Sequence, residues 1–389
     1  MKNPKLALIP SGYKSGKVYS ILPTDGVGDF DFSRGSTATR VNKDGLIETV
    51  NNNVPRLDWL NSDCPSLLLE PQRTNYATNS ENTYLMFEIS GSESVTRTQN
   101  YSISPNGNLT ASRLQASVTT GTNNYSLVGL STTGSSGFYT ASIYLKSNTS
   151  QNQKVSIYGR YSLTQNYTVT PEWQRFSFLG YSGGSQNSYI YLGILAQLTD
   201  SPAQIDVSLF GVQIEFGDYA TSLITTISDP VTRQKDTAQL LNQTLFTDYP
   251  FTVYADVKIE MIDNFLFSLV DSGSAIKYLS VHLQAVNTIS VLRRGVSASD
   301  TDSYSFNYSI GDEIKLAVSF INDTSYKFYI NGTQIGNVTS GGSIPYDHND
   351  ICLGQLRIAA DNGKRNTINE FRVYDYTLTD TELTELTTI

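Results

Sequence analysis

At 389 residues the chain is long enough for two or three domains, each with its own core. Its 27 basic and 36 acidic residues leave a net charge of −9, which argues against a nucleic-acid backbone or an anionic membrane surface as the main partner. Only 16% of residues are charged, while Ser, Thr, Asn, Gly and Tyr abound, so the surface is polar but weakly ionic.

The start, MKNPKLALIP, is cut off by Pro10 and is too short for a signal-peptide core or a membrane span. The expectation is a protein folded in a reducing cytoplasm, without membrane insertion. Cys64 and Cys352 accordingly read as two free thiols, and two Cys with two His cannot build a structural zinc site. Residues 1 to about 75 show little periodicity. Short apolar runs (Leu6–Ile9, Val18–Leu22, Pro65–Leu69) alternate with turn pairs such as Asp25-Gly26 and Arg34-Gly35. The segment is too apolar for a disordered tail, so it is expected to order by packing on its own domain, a sister chain or a partner.

From residue 80 to 226 the pattern is that of a β-sandwich. Candidate strands are Arg113–Ser117, Tyr125–Leu130, Phe138–Lys146, Lys154–Arg160, Tyr167–Val169, Gln174–Phe178, Tyr189–Leu195 and Gln204–Glu215. In the last of these the apolar residues recur at every second position from Phe210 on, predicting one buried and one wet face. Gly217-Asp218 ends it, and a Thr/Ser-rich link with Pro230 leads to a second strand-rich block. There the candidates are Phe251–Ile259, Phe265–Val270, Tyr278–Leu283, Thr288–Arg293, Glu313–Ile321, Ser325–Ile330, Thr333–Asn337 and Asn369–Tyr374. Asn331-Gly332 supplies the positive φ angles of a tight hairpin turn. Thr379-x-x-Glu382 is a capping box, predicting a short helix to about Leu386.

A resemblance rests on several pieces in order. Phe32-Ser-Arg-Gly-Ser-Thr-Ala-Thr-Arg40-Val-Asn42, Gly45-Leu-Ile-Glu48, Asn53-Val-Pro-Arg56-Leu-Asp58 and Cys64-Pro-Ser-Leu-Leu-Leu-Glu70-Pro-Gln-Arg73-Thr-Asn75 resemble a segment of bacteriophage virion proteins. Gln213-Ile-Glu215, Gly217, Ala220-Thr-Ser222 and Pro230-Val-Thr-Arg233 are similar to the same family. Leu6-Ala-Leu-Ile-Pro10-Ser-Gly12-Tyr-Lys resembles the head fibre proteins of crAss-like phages of gut Bacteroidetes. Pro171-Glu-Trp173-Gln-Arg-Phe176 resembles a stretch of jelly-roll carbohydrate-binding modules, and Ile368–Leu383 the end of a laminin-G or concanavalin-A-like domain.

The combined expectation is an all-β chain: an irregular N-terminal virion-docking or oligomerisation segment (residues 1–78), two antiparallel β-sandwiches of jelly-roll type (79–228, carbohydrate-binding-module-like; 229–389, laminin-G-like) and one short C-terminal helix. The resemblance implies a non-enzymatic fibre or capsid decoration on the virion surface, assembled in the host cytoplasm. Its partners would be its own copies as a homotrimer or homodimer, the major capsid or other virion proteins, and host or mucus glycans. A tail fibre, a purely structural spacer and a polysaccharide depolymerase are the rival readings. Leu6, Leu8, Ile9, Tyr13, Phe32, Arg34, Arg40 and Arg56 are the docking candidates. Tyr189 and Tyr191 share one strand face and Tyr158 has a similar setting. Such rings stack on the apolar face of a pyranose, or else merely fill a half-buried β surface. Trp173 is a sugar platform or a partly buried edge residue.

No catalytic group is assigned. Asp256 and Glu260 share a predicted strand face but read as a solvated face, and His282 and His348 sit in no nucleophile elbow. No cofactor is expected beyond calcium, which laminin-G-like rims carry. Asp271, Asp361 and Asn362 are the candidate ligands.

Overall fold

The computed structural model describes residues 2–119, 124–132, 137–159, 165–182, 188–271, 274–295, 299–343, 349–355 and 364–389. The chain divides into two compact units. One comprises Met1–Lys43, Val50–Gln72 and Gln234–Ile389; the other comprises Asp44–Thr49 and Arg73–Arg233. Both are built of antiparallel sheets.

In the first unit an eight-stranded sheet runs in the order Thr333–Val338, Ser325–Ile330, Glu313–Asn322, Phe251–Lys258, Asn366–Tyr374, Ser66–Leu69, Leu57–Asp58. Leu6–Leu8 occupies the other half of the same edge of Asn366–Tyr374, pairing Leu6 with Val373 and Leu8 with Phe371. The facing nine-stranded sheet runs Tyr13–Lys14, Lys17–Val18, Phe30–Ser33, Thr237–Leu240, Asp350–Leu353, Asn264–Asp271, Ser274–Ala285, Thr288–Arg294, Ser299–Ser305. Alternate residues of both sheets fill one core, in which Phe30, Phe251, Phe267, Phe328 and Phe371 are fully buried. The hairpin turn at Asn331 (φ 48°) and Gly332 (φ 76°) joins Ile330 to Thr333 as the Asn-Gly pair predicts. Helix Asp380–Thr387 starts at its capping box and lays Leu383 against Tyr254, Tyr329 and Tyr374 on the outer face of the eight-stranded sheet.

This arrangement corrects the expected division at residue 78. Residues 6–33 and 57–69 are not a separate docking segment but supply strands to both sheets of the C-terminal sandwich. Leu6, Leu8, Phe32, Leu57, Leu67 and Leu69 lie in its core. Of the apolar runs that look irregular in sequence, Leu6–Leu8 and Ser66–Leu69 are short strands completed by distant Asn366–Tyr374, while Val18 pairs locally with Tyr13 and Phe30. A buried charge network fastens the segment. Arg34 Nη1 donates to Asp236 Oδ1 at 3.0 Å, and its remaining guanidinium donors reach the carbonyls of Ser36, Asn51 and Val54. Arg56 donates to Glu70 Oε2 at 2.6 Å and to Asp236 Oδ2. All four side chains are wholly shielded from solvent.

The second unit is a smaller sandwich. One sheet runs Phe87–Glu88, Tyr125–Thr132, Ser188–Leu195, Gln153–Gly159, Gln165–Val169; the other runs Ser94–Ser102, Ala111–Ser117, Gln204–Phe216, Gly137–Ser147, Gln174–Ser182. Their inner faces meet in a core of Leu114, Val128, Tyr139, Ile143, Ile157, Leu192 and Val207, among others.

The long strand Gln204–Phe216 departs from the expected half-wet pattern. Ile205, Val207 and Leu209 face the core, then Val212 and Ile214 do, because a bulge at Gly211 (φ 66°) shifts the register opposite Ile143. Its outer face is covered too. Gln213 and Glu215 are fully buried: Gln213 Oε1 accepts from Ile224 N at 2.6 Å, and Glu215 Oε2 from Thr221 N at 2.9 Å. Polar residues there mark a buried strand whose amides and carboxylate satisfy the crossing segment 221–224.

Candidate functional site

Strand alternation sets one face of the five-stranded sheet Phe87–Glu88 to Gln165–Val169 outward. In Ser188–Leu195, Ile190, Leu192 and Ile194 point to the core, which turns Tyr189, Tyr191 and Gly193 out. Tyr158 lies directly opposite Tyr191 on one side, and Gly129 opposite it on the other. The three expected tyrosines therefore come together. Tyr189 and Tyr191 stack with centroids 4.4 Å apart at 16°, and Tyr158 lies 5.6 and 5.9 Å from them. The Tyr189 hydroxyl donates to that of Tyr158 at 3.2 Å. Burial pushes the Tyr189 and Tyr191 phenols above their ordinary value, so both are neutral donors at physiological pH.

Beside this cluster lies a groove of about 330 Å³, lined by Ile89, Asn124, Tyr125, Leu127, Tyr158, Tyr191, Leu195 and Gln197. Tyr189 is not in its wall; it backs Tyr191. Gly129 makes the arrangement possible, because a Cβ there would lie 2.2 Å from Tyr191 Cδ1. The floor is apolar, with Leu127 and Leu195 buried. The polar groups are already partly fixed: Tyr125 donates to Ser90 O at 2.6 Å and Asn124 Nδ2 to Thr119 O at 2.9 Å. The Tyr191 hydroxyl and the Gln197 amide make no hydrogen bond among the described residues. An aromatic wall, an apolar floor and a few open polar handles are what a sugar ring requires. Tyr125, Leu127 and Asn124 are absent from the sequence-based candidates; the alternation Tyr125-x-Leu127-x-Gly129 is the signal that points to them.

Trp173 does not join this site. It precedes Gln174–Ser182 in the other sheet, is half-buried, and its Nε1 donates to Ile103 O at 3.0 Å. The partly buried edge reading fits it. The candidate docking residues divide by burial. Leu6, Leu8, Phe32, Arg34 and Arg56 are enclosed in their own sandwich and present nothing to a partner. Ile9 is exposed, and Tyr13 and Arg40 are half-buried, with Arg40 Nη2 donating to the Tyr13 hydroxyl at 3.0 Å.

Asp256 and Glu260 are not a solvated face either. Asp256 is half-buried and accepts from Asn369 Nδ2 at 2.9 Å, and burial raises its pKa. Glu260 lies past the strand's end, accepts from Thr367 at 2.8 Å and pairs with Arg365 at 3.2 Å. His282 stacks on Phe265 and contacts Asp263 at 3.0 Å; His348 lies outside the described residues. Of the calcium candidates, Asp271 pairs with Lys277 at 3.1 Å, while Asp361 and Asn362 lie outside the described residues. Among the described residues no group of three or more His, Cys, Asp or Glu side chains could hold a metal ion.

Residues 233–384 match the family described as the concanavalin A-like lectin/glucanases superfamily. No curated protein matches the chain. Among solved structures, the sialidase carbohydrate-binding module CBM40 of Ruminococcus gnavus bound to α2,3-sialyllactose is 15% identical (TM-score 0.33) over 36% of this chain and 84% of that one. Domain 4 of the arabinanase AbnA of Geobacillus stearothermophilus, with arabinotriose, is 19% identical (TM-score 0.33) over 40% and 73%. The heptameric SAP-like pentraxin of Limulus polyphemus is 16% identical (TM-score 0.30) over 36% and 69%. The C-terminal part of this all-β chain is thus similar, over residues 233–384, to concanavalin A-like domains.

Proposed function

We propose that this protein is a non-enzymatic glycan-binding component of a phage virion surface, a head fibre or capsid decoration. The observation that carries the binding reading is the groove beside Tyr158 and Tyr191, with its open phenol and amide. The virion placement rests on the resemblance of residues 6–75 and 213–233 to virion proteins. A weak site suffices in such a setting, because a homotrimer and many copies per particle raise avidity without new contacts. Binding rather than hydrolysis is favoured by Glu260, whose carboxylate is held by Arg365 and Thr367 rather than aimed at a paired acid.

A glycan array probed with the full chain tests the binding reading. Binding that disappears in Tyr191→Ala supports it; silence across host-surface and mucus polysaccharides leaves the spacer reading. Labelled micrographs of the particle test the placement and separate head from tail. Loss of polymer viscosity abolished by Asp256→Asn or Glu260→Gln would establish the depolymerase instead.

A further inference from the structure

The lack of charge in the groove's lining bears on which glycans it can hold. Every side chain lining it is uncharged. Of the carboxylates on neighbouring backbone, Glu88 pairs with core-facing Val128 and so lies on the other face of the sheet, and the Glu93 carboxylate accepts from Thr119 N. Lys154, a cation on the same face among the described residues, sits at the opposite end of its strand from Tyr158 and donates to Thr168 Oγ1 at 2.9 Å. An anionic sugar would bring a charge onto an apolar floor with no partner among the described residues. A neutral ring meets no such cost.

We infer that the groove takes neutral glycans, hexose or pentose units without carboxylate, sulfate or phosphate, and discriminates against uronic and sialic acids. The ring lies with its apolar face on Tyr191 and Tyr158, and its hydroxyls meet the Tyr191 hydroxyl and the Gln197 amide. This rests on the glycan-binding reading of the same groove.

The test is calorimetric titration of the full chain with neutral hexasaccharides (maltohexaose, cellohexaose, laminarihexaose, mannohexaose) and with hexagalacturonate and oligosialic acid. The expected result is binding of at least one neutral oligomer, weakened about tenfold or more by Tyr191→Ala and several-fold by Gln197→Ala, with no heat from the acidic pair. Gln197 is exposed, so its variant folds even if Tyr191→Ala does not. Acidic oligomers that bind and are lost in these variants overturn the selectivity while leaving the glycan reading in place. Absence of all binding, or binding untouched by both variants, overturns the glycan reading itself.

Discussion

Asp236→Asn removes one charge from a network that has no access to water. In the folded protein Asp236 accepts from Arg34 Nη1 at 3.0 Å, from Arg56 Nη2 and from Glu70 N at 2.9 Å. The network sets the Arg34 and Arg56 guanidinium groups against Asp236 and Glu70, all with fully shielded side chains, and Arg365 approaches Glu70 at 3.8 Å from its edge. The variant takes from Arg34 and Arg56 the carboxylate they share. Removing one member of a buried ion pair costs about 3–5 kcal/mol, because the remaining charge stays desolvated. For an m-value of about 2 kcal/mol per M, the urea midpoint of this unit falls by about 2 M. The two tryptophans allow that transition to be read separately, since Trp59 lies in the unit containing the network and Trp173 in the other. In a Trp173→Phe background, Trp59 fluorescence follows only the first. The exposed pair Lys17–Asp31, at 2.7 Å, is the control; Lys17→Ala shifts stability by less than about 1 kcal/mol. A loss in Asp236→Asn no larger than that of the control would refute the reasoning.

Four further outcomes follow. The stretch matched by the family, 233–384, does not fold alone: it lacks Leu6, Leu8, Phe30, Phe32, Leu57, Leu67 and Leu69, each worth about 1.5–3 kcal/mol of burial. A cooperative thermal transition of that fragment would contradict this. Gly129→Ala drives the Tyr191 ring off its seat, costing about 1–3 kcal/mol and weakening glycan binding, and unchanged affinity would remove Tyr191 from the site. Cys64 is exposed, whereas burial pushes the Cys352 thiol up to about 12, so a thiol reagent modifies one cysteine in the native protein and both in denaturant. Burial, with the hydrogen bonds to Tyr304 and Asp302, raises the Tyr326 phenol above its unfolded value of about 10. A raised folded pKa contributes stability that is complete below about pH 10 and lost as pH rises beyond it. The urea midpoint therefore falls above about pH 10, less steeply in Tyr326→Phe.

Local signals carried the fold class. The hairpin at Asn331-Gly332, the capping box at Thr379 and Glu382, and the alternation within Ser188–Leu195 each depend on neighbours a few residues away, and each is legible in sequence. What was not legible is pairing across long separations. Leu6–Leu8 looks like an orphan apolar run until Phe371–Val373 supplies its partner. Thr237–Leu240 and Asp350–Leu353 are too short to announce themselves; they are strands because they pair with each other between Phe30–Ser33 and Asn264–Asp271. Arg34 and Arg56 illustrate the same limit. An arginine in a loop-rich segment suggests a surface contact, and only the position of Asp236, far along the chain, turns it inward.

The groove divides along the same line. Tyr189 and Tyr191 share a face by strand period alone, and so could be nominated together. Their register against Tyr125–Thr132 could not be read, so nothing in the sequence singles out Gly129. Its real role is negative space: opposite Tyr191, the missing side chain lets the phenol ring lie across the sheet instead of standing clear of it. A larger residue would leave the same three tyrosines on the same face but close the wall they make. The capacity to hold a sugar therefore resides as much in one absent Cβ as in the rings themselves. A search for aromatic residues alone, however well it finds platforms, cannot distinguish a wall from a stack.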